Sequence, residues 1–315
     1  VILTVTVNAA LDRTVTVPNF GASSRQRATD AIALPGGKGV NIARALRCLG
    51  EPVITTGFAG GRTGTTIIEA LSDEGILNDF VRVHDDSRVS TAVIDPMSGG
   101  QTEINEVGPS IGPDEIEVLF SKLRYLSKGA DCLVLAGSLP RDVPDDLYAR
   151  ILKELRAPNV ITAVDAFGAC LRTSLSGEPD IVSPNRREAE ELVGYEFQDD
   201  ADVAEGAEEI HQMGAGIVLI HDREGCVARV PDGKSRRLLR AHLPRIADVA
   251  ATVGSGDAFL AGFIASWIHT REPEAALRLA VATGAANALH LGAGVFDQED
   301  VDAFSRRVEI EELTV

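Results

Sequence analysis

Short apolar or β-branched runs recur along the chain at residues 1–7, 53–56, 132–136, 160–164, 181–183 and 217–220. Runs of this kind predict strands covered on both faces, as in a parallel sheet. Between them, residues 40–49, 63–72, 144–155, 186–193 and 201–213 carry helical patterns, and Gly50, Gly75, Gly194 and Gly214 follow four of these. Glycine just past a periodic segment is a helix stop, because it enters the left-handed conformation without a Cβ clash. Repeated strand–helix units predict an α/β fold with helices on both faces of the sheet.

Residues 13–35 and 82–106 break this rhythm. Thr14-Val15-Thr16-Val17 and Val89-Ser90-Thr91-Ala92-Val93 alternate polar and apolar positions. Period-two alternation predicts antiparallel strands with one exposed face. These stretches are expected to form a small sheet, a lid inserted into one α/β domain covering residues 1–315.

Composition narrows the function. Apolar residues make up 44% of 315 positions and aromatics 4%, enough for a core rich in small side chains. The formal charge of −17 argues against nucleic-acid and anionic-membrane partners. It also requires that any anionic substrate meet a local cluster of Arg and Lys. Cys48, Cys132, Cys170 and Cys226 have neither CxxC nor metal-like spacing and read as reduced structural thiols. The longest apolar stretch, residues 259–268, is too short to span a bilayer. The opening strand carries no basic flank of a leader peptide, so a soluble, cytoplasmic protein is expected.

Candidate chemistry concentrates in glycine-bearing turns. In Gly254-Ser255-Gly256-Asp257, small residues before an apolar helical run leave backbone N–H groups free to face an anion. Asp257 could accept a proton from an incoming hydroxyl while those N–H groups stabilise a transferring phosphoryl group. It could equally be a helix-start Asp that only favours the dipole. Pro35-Gly36-Gly37-Lys38-Gly39-Val40-Asn41 is not a Walker A loop, since Gly39 follows the lysine. It reads as either a close-approach loop for a ligand or a tight structural turn. Asn185 and Glu188, three apart at a helix start, could hold Mg²⁺ through water or simply open the helix after Pro184.

Taken in order, these segments resemble the PfkB/ribokinase family of carbohydrate kinases. Thr6-Val7-Asn8-Ala9-Ala10-Leu11-Asp12, residues 102–109 (Thr102-Glu103-Ile104-Asn105 onward) and Ala136-Gly137-Ser138-Leu139-Pro140 are similar to its phosphosugar branch. The resemblance runs from residue 1 to about residue 294. It implies a ribokinase-like three-layer sandwich with a β-sheet lid, often paired into a homodimer. It further implies ATP as phosphate donor, Mg²⁺, and a ketohexose phosphate as acceptor. By resemblance Asp257 is the base, with Gly254, Ser255 and Gly256 as the anion hole. Asp12, Gly37, Asn41 and Glu103 would bind the sugar, and Arg88, Ser138, Arg25, Arg27 and Lys38 its phosphate. Asn185, Glu188, Gly225, Thr252, Gly254 and Asn287 would face the nucleotide, with Glu188 reaching the metal through water.

Three departures fall on the nucleotide side. Ser183 replaces a usual Lys, the segment from Ile220 through Asp222 to Gly225 keeps only the last Gly of Ser-x-Gly-x-x-Gly, and Ala251 replaces an Asp or Asn. They motivate one alternative, a catalytically silent phosphosugar sensor; a second, a family kinase of an unphosphorylated sugar or nucleoside, is set against Arg25, Arg27 and Arg88, to which a neutral substrate gives nothing to neutralise.

Overall fold

The computed structural model describes residues 1–233, 235–244 and 249–313. Strand β1 (Ile2–Thr6) runs through the main sheet; β2 (Ala10–Thr16) and β3 (Asp30–Gly36) then leave it. Helix α1 (Lys38–Cys48) returns the chain to β4 (Val53–Gly60), α2 (Gly61–Asp73), β5 (Leu77–Asn78) and β6 (Val81–Val83). A second excursion makes β7 (Arg88–Asp95) and β8 (Gly100–Asn105). Strand–helix alternation resumes with α3 (Pro113–Leu126), β9 (Cys132–Ala136), α4 (Leu147–Leu155), β10 (Ile161–Asp165) and α5 (Gly168–Ser174). It continues through β11 (Ile181–Val182), α6 (Arg186–Val193), α7 (Asp200–Gln212) and β12 (Ile217–His221). The antiparallel pair β13 (Gly225–Asp232) and β14 (Ser235–His242) precedes α8 (Ser255–Thr270), α9 (Pro273–Asn287), α10 (Gln298–Ser305) and β15 (Glu309–Glu312).

The main sheet has the order β15-β14-β13-β12-β11-β10-β9-β1-β4-β5, with β6 also on β4. Pairing is parallel from β12 through β5 and antiparallel from β12 outward to β15. Successive side chains of a strand point to opposite faces, which sorts the core into two layers. Ile2, Val134 and Ala163 pack with α1, α8 and α9, whereas Leu3, Leu133 and Val164 pack with α3, α4 and α7. This is the expected three-layer α/β arrangement.

The second sheet has the order β3-β2-β7-β8. Two details differ from the sequence expectation. Strand β2 pairs with β7 in parallel, because both leave the main sheet in the same direction and meet side by side. Arg82 and Val83, at the start of the 82–106 stretch expected in the small sheet, belong instead to β6, which pairs with Phe58–Gly60 of β4. Helix α9 escaped the periodicity reading because it is rich in small residues and its buried positions are not confined to one narrow stripe.

The strand register gathers the site. Ala10 of β2 lies opposite Gly36 on one side and Arg88 on the other, so Asp12, Gly36 and Arg88 share one end of the small sheet. Ser138, Asp165, Ser183 and His221 lie at or just past the carboxyl ends of parallel strands. That edge is where open α/β sheets bind ligands.

Candidate active site

Helix α8 follows directly on Gly254, whose φ of 78° is left-handed. A Cβ there would lie 2.3 Å from Cβ of Ala293, so only glycine closes this turn. The first N–H groups of a helix have no partner inside it. Those of Gly256 and Asp257 meet no backbone acceptor among the described residues, which together with the helix dipole leaves them able to face an anion. Asp257 sits in this first turn and is 6% exposed. Its Oδ2 accepts a hydrogen bond of 2.8 Å from Nδ2 of Asn41 on α1. Burial raises the carboxyl, Lys38 opposes and Asp165 adds to the rise, and the result is about 7. A carboxyl group poised there is suited to general-base work near neutral pH.

Lys38 opens α1, and its Nζ lies 2.6 Å from Oδ1 of Asp165 and 4.0 Å from Oε1 of Glu188. Burial alone would lower the ammonium; Asp165, Glu188 and Asp257 outweigh it and push it up. Lys38, expected beside the arginines, thus faces carboxylates in this structure. Residue 38 lies where the helix start faces the ends of β10 and α6, and its charge answers carboxylates there. Asp165 escaped the sequence reading. Its position at the carboxyl end of a buried parallel strand was the signal that could have found it.

On the other flank, Oδ2 of Asp12 accepts from the N–H of Gly37 at 3.4 Å. A Cβ on Gly36 would fall 2.0 Å from that same oxygen, so the carboxylate rests on bare backbone. Burial raises Asp12, with Arg88 opposing. Arg88 donates through Nε to the carbonyl of Asn8 at 3.2 Å and through Nη1 to Ser90 at 2.9 Å. Ser138 Oγ accepts from Asn8 Nδ2 at 3.0 Å, and Asn8 Oδ1 is buried without a partner among the described residues. Glu103 lies exposed on β8 and accepts from Gln101. Arg25 and Arg27 are exposed in the connection between β2 and β3, and among the described residues they join no ion pair. Arg88 is half-buried beside Asp12, whereas these two are exposed.

Asn185 and Glu188 form a reciprocal helix cap. Asn185 Oδ1 accepts from the N–H of Glu188, and Glu188 Oε2 accepts from the N–H of Asn185, both at 2.9 Å. The pair opens the helix as the local reading expected, but the carboxylate is largely buried rather than solvated, with Oε1 on the Lys38 side. Burial raises Glu188 while Lys38 holds it down. Asn287 Nδ2 donates to the carbonyl of Val253 at 2.9 Å, and its Oδ1 accepts from Gly294 at 2.7 Å. The Thr252 carbonyl accepts from Ser255, closing the anion turn, while the Thr252 side chain is exposed. Gly225 sits close to the carbonyl of Ala241, where a Cβ would be 2.1 Å away.

The departures cluster here too. Ser183 Oγ, His221 Nε2 and Asp165 Oδ2 are buried without hydrogen-bond partners among the described residues. The His221 ring packs on Phe259 with centroids 5.1 Å apart, and burial lowers it to about 4, leaving it neutral. It stands beneath Gly256, where a Cβ would meet it at 3.0 Å. Asp222 turns inward on its own loop, accepting from the N–H groups of Glu224 and Gly225. Ala251 is buried, and its N–H donates to the carbonyl of Ala288.

A family profile of pfkB family carbohydrate kinases matches residues 5–300. Among solved structures, phosphofructokinase-2 from Escherichia coli in complex with substrates and products superposes with a TM-score of 0.88 at 27% identity, covering 97% of this chain and 98% of that one. A 1-phosphofructokinase-like protein from Thermotoga maritima gives 0.86 at 24% identity and 99% of both chains, a likeness of fold. Arabidopsis thaliana ribokinase complexed with ribose and ATP gives 0.73 at 22% identity, covering 97% and 98%, again a likeness of fold. With its family profile spanning nearly the whole sequence, the chain belongs to the pfkB family of carbohydrate kinases.

Proposed function

We propose that this protein transfers the γ-phosphoryl group of ATP to a hydroxyl of a ketohexose phosphate, with Asp257 as the base. The observation that carries the reading is Arg88. Its guanidinium is tied to Asn8 and Ser90 by two N–H groups, which leaves others for a ligand beside Asp12. A neutral sugar has no charge for a largely enclosed guanidinium to meet, whereas a phosphate takes its paired donors. The likeness to Escherichia coli phosphofructokinase-2 supports the same substrate class. Fructose 1-phosphate, tagatose 6-phosphate and fructose 6-phosphate are the candidate acceptors.

The chain's own groups divide the work. Asp12 and Asn41 orient the sugar, Arg88 and Ser138 hold its phosphate, and Asp257 takes the proton from the attacking hydroxyl. The N–H groups of Gly256 and Asp257 face the transferring group, where charge develops. The small sheet excludes water that would otherwise accept the phosphoryl group. The unpartnered Asp165 Oδ2 and the Oε1 of Glu188 are hard oxygen donors of the kind a hydrated Mg²⁺ takes, so the residues fit that ion. Mg²⁺ bound with ATP would neutralise the nucleotide phosphates.

Pairing of two copies through the small sheet is part of the proposal, supported by Ile104 (59% exposed) on β8 and Val107 (68%) just after it. Four free cysteines support a reducing, cytoplasmic setting. No helix among the described residues is long and apolar enough to cross a membrane.

The deciding experiment is a coupled ADP-release assay with ATP and with GTP across the three phosphosugars, ribose and fructose. One phosphosugar should dominate. Preference for an unphosphorylated sugar would overturn the substrate class. Phosphosugar binding by calorimetry with no ATP binding would replace the kinase reading with a sensor.

A further inference from the structure

Arg44 lies on α1 one turn after Asn41 and is 6% exposed. A guanidinium carries five N–H donors and accepts nothing. The structure offers Arg44 five bonds. Nε and Nη2 grip the Glu74 carboxylate at 2.7 and 3.1 Å, and Nη2 also donates to the carbonyl of Pro35. Nη1 donates to the carbonyl of Ala293 at 2.8 Å and to Oδ1 of Asn41 at 3.5 Å.

Three of those acceptors lead into the site. Pro35 precedes Gly36, on which the Asp12 carboxylate rests. Ala293 is the surface against which the Gly254 turn closes. Asn41 holds Asp257. The Asn41 contact has a further consequence. Because Arg44 can only donate, it selects the amide orientation with Oδ1 toward itself and Nδ2 toward the base. An amide turned the other way would present an oxygen to a carboxylate.

We propose that Arg44 is a positioning residue: its saturated guanidinium fixes the Asp257 base, the Gly254 turn and the root of β3 in one register. The inference rests on the reading of Asp257 as base. Burying an ion pair seldom adds net stability over an apolar pair of similar volume. The Arg44–Glu74 pair is therefore better accounted for by the geometry it imposes than by the stability it adds.

The test compares Arg44→Lys and the apolar double variant Arg44→Met/Glu74→Leu with wild type. Arg229→Lys is the control, a buried arginine paired with Glu208 and the Gly216 carbonyl at the opposite, amino end of β12. Both Arg44 variants should lose about 10- to 100-fold in kcat, the scale of a misplaced reacting group. KM for the phosphosugar should rise by less than kcat falls, since Arg88, the phosphate contact, makes no bond to Arg44. The acidic limb of kcat should move to higher pH, because the donor bond that favours the Asp257 carboxylate is loosened. Arg229→Lys should lower Tm without moving kcat or the limb. Wild-type kcat and pH profile in either folded Arg44 variant would overturn the proposal. So would failure of both Arg44 variants to fold beside a folded Arg229→Lys, which would mark the pair as purely structural. Asp257→Asn assayed in parallel separates the two readings: retained turnover there removes the base assignment itself.

Discussion

Lys38 Nζ stands 2.6 Å from Oδ1 of Asp165, inside a group of carboxylates that includes Glu188 and Asp257. The ammonium holds down the Asp257 carboxyl, which burial raises to about 7. As the proposed base, Asp257 must be unprotonated to act, so wild-type kcat/KM should fall as pH drops through about 7. Lys38→Met removes the cation that favours the carboxylate. Its acidic limb should shift to higher pH by about one unit, with a lower plateau, as read from pH–rate profiles.

Asp257→Asn should lower kcat by about 10²–10⁴-fold while leaving phosphosugar affinity largely intact, measured by steady-state kinetics and calorimetry. The same change should stabilise the fold. The folded-state pKa of Asp257 lies above its ordinary value of 3.8, so the native protein binds the extra proton between that value and about 7. Wild-type stability therefore declines across this window as pH rises, and the deficit is complete above it. Thermal melts should show the Asn variant gaining on wild type from pH 4 to 7 and holding a roughly constant lead of a few degrees beyond.

Gly36→Ala isolates a steric demand. Gly36 has no positive φ, and its added Cβ would collide with the Asp12 carboxylate at 2.0 Å. The expected outcome is a rise of about tenfold or more in KM for the sugar, with a smaller change in kcat. Equal loss in both constants would place Asp12 among the groups that act in the transition state.

Arg88→Ala should raise KM for the phosphosugar by about 10- to 100-fold, the loss of one or two charge-assisted bonds. The Arg25→Ala/Arg27→Ala double variant should leave the constant within about twofold if a single copy builds the phosphate site, because both side chains are exposed. A large effect from that pair would show that a second copy brings them into the site.

Local features of this protein were legible in its residues alone. The strand–helix alternation, the glycine at the start of α8, and the Asn185–Glu188 cap all arise within a few residues, where dihedral preference and side-chain reach are set by neighbours along the chain. The resemblance added which of these segments belong to one site. Three-dimensional packing decided the rest. Lys38 could have faced the arginines or the acids, and only the docking of α1 against the ends of β10 and α6 chose the acids. The parallel pairing of β2 with β7 depended on how two excursions from the main sheet meet, which alternation cannot encode. Arg44 shows the limit most clearly: its five acceptors come from residues 35, 41, 74 and 293, and no spacing in the sequence brings them together. Long-range partners are set by which buried surfaces close on one another, because a buried donor must take whatever acceptors that closure presents.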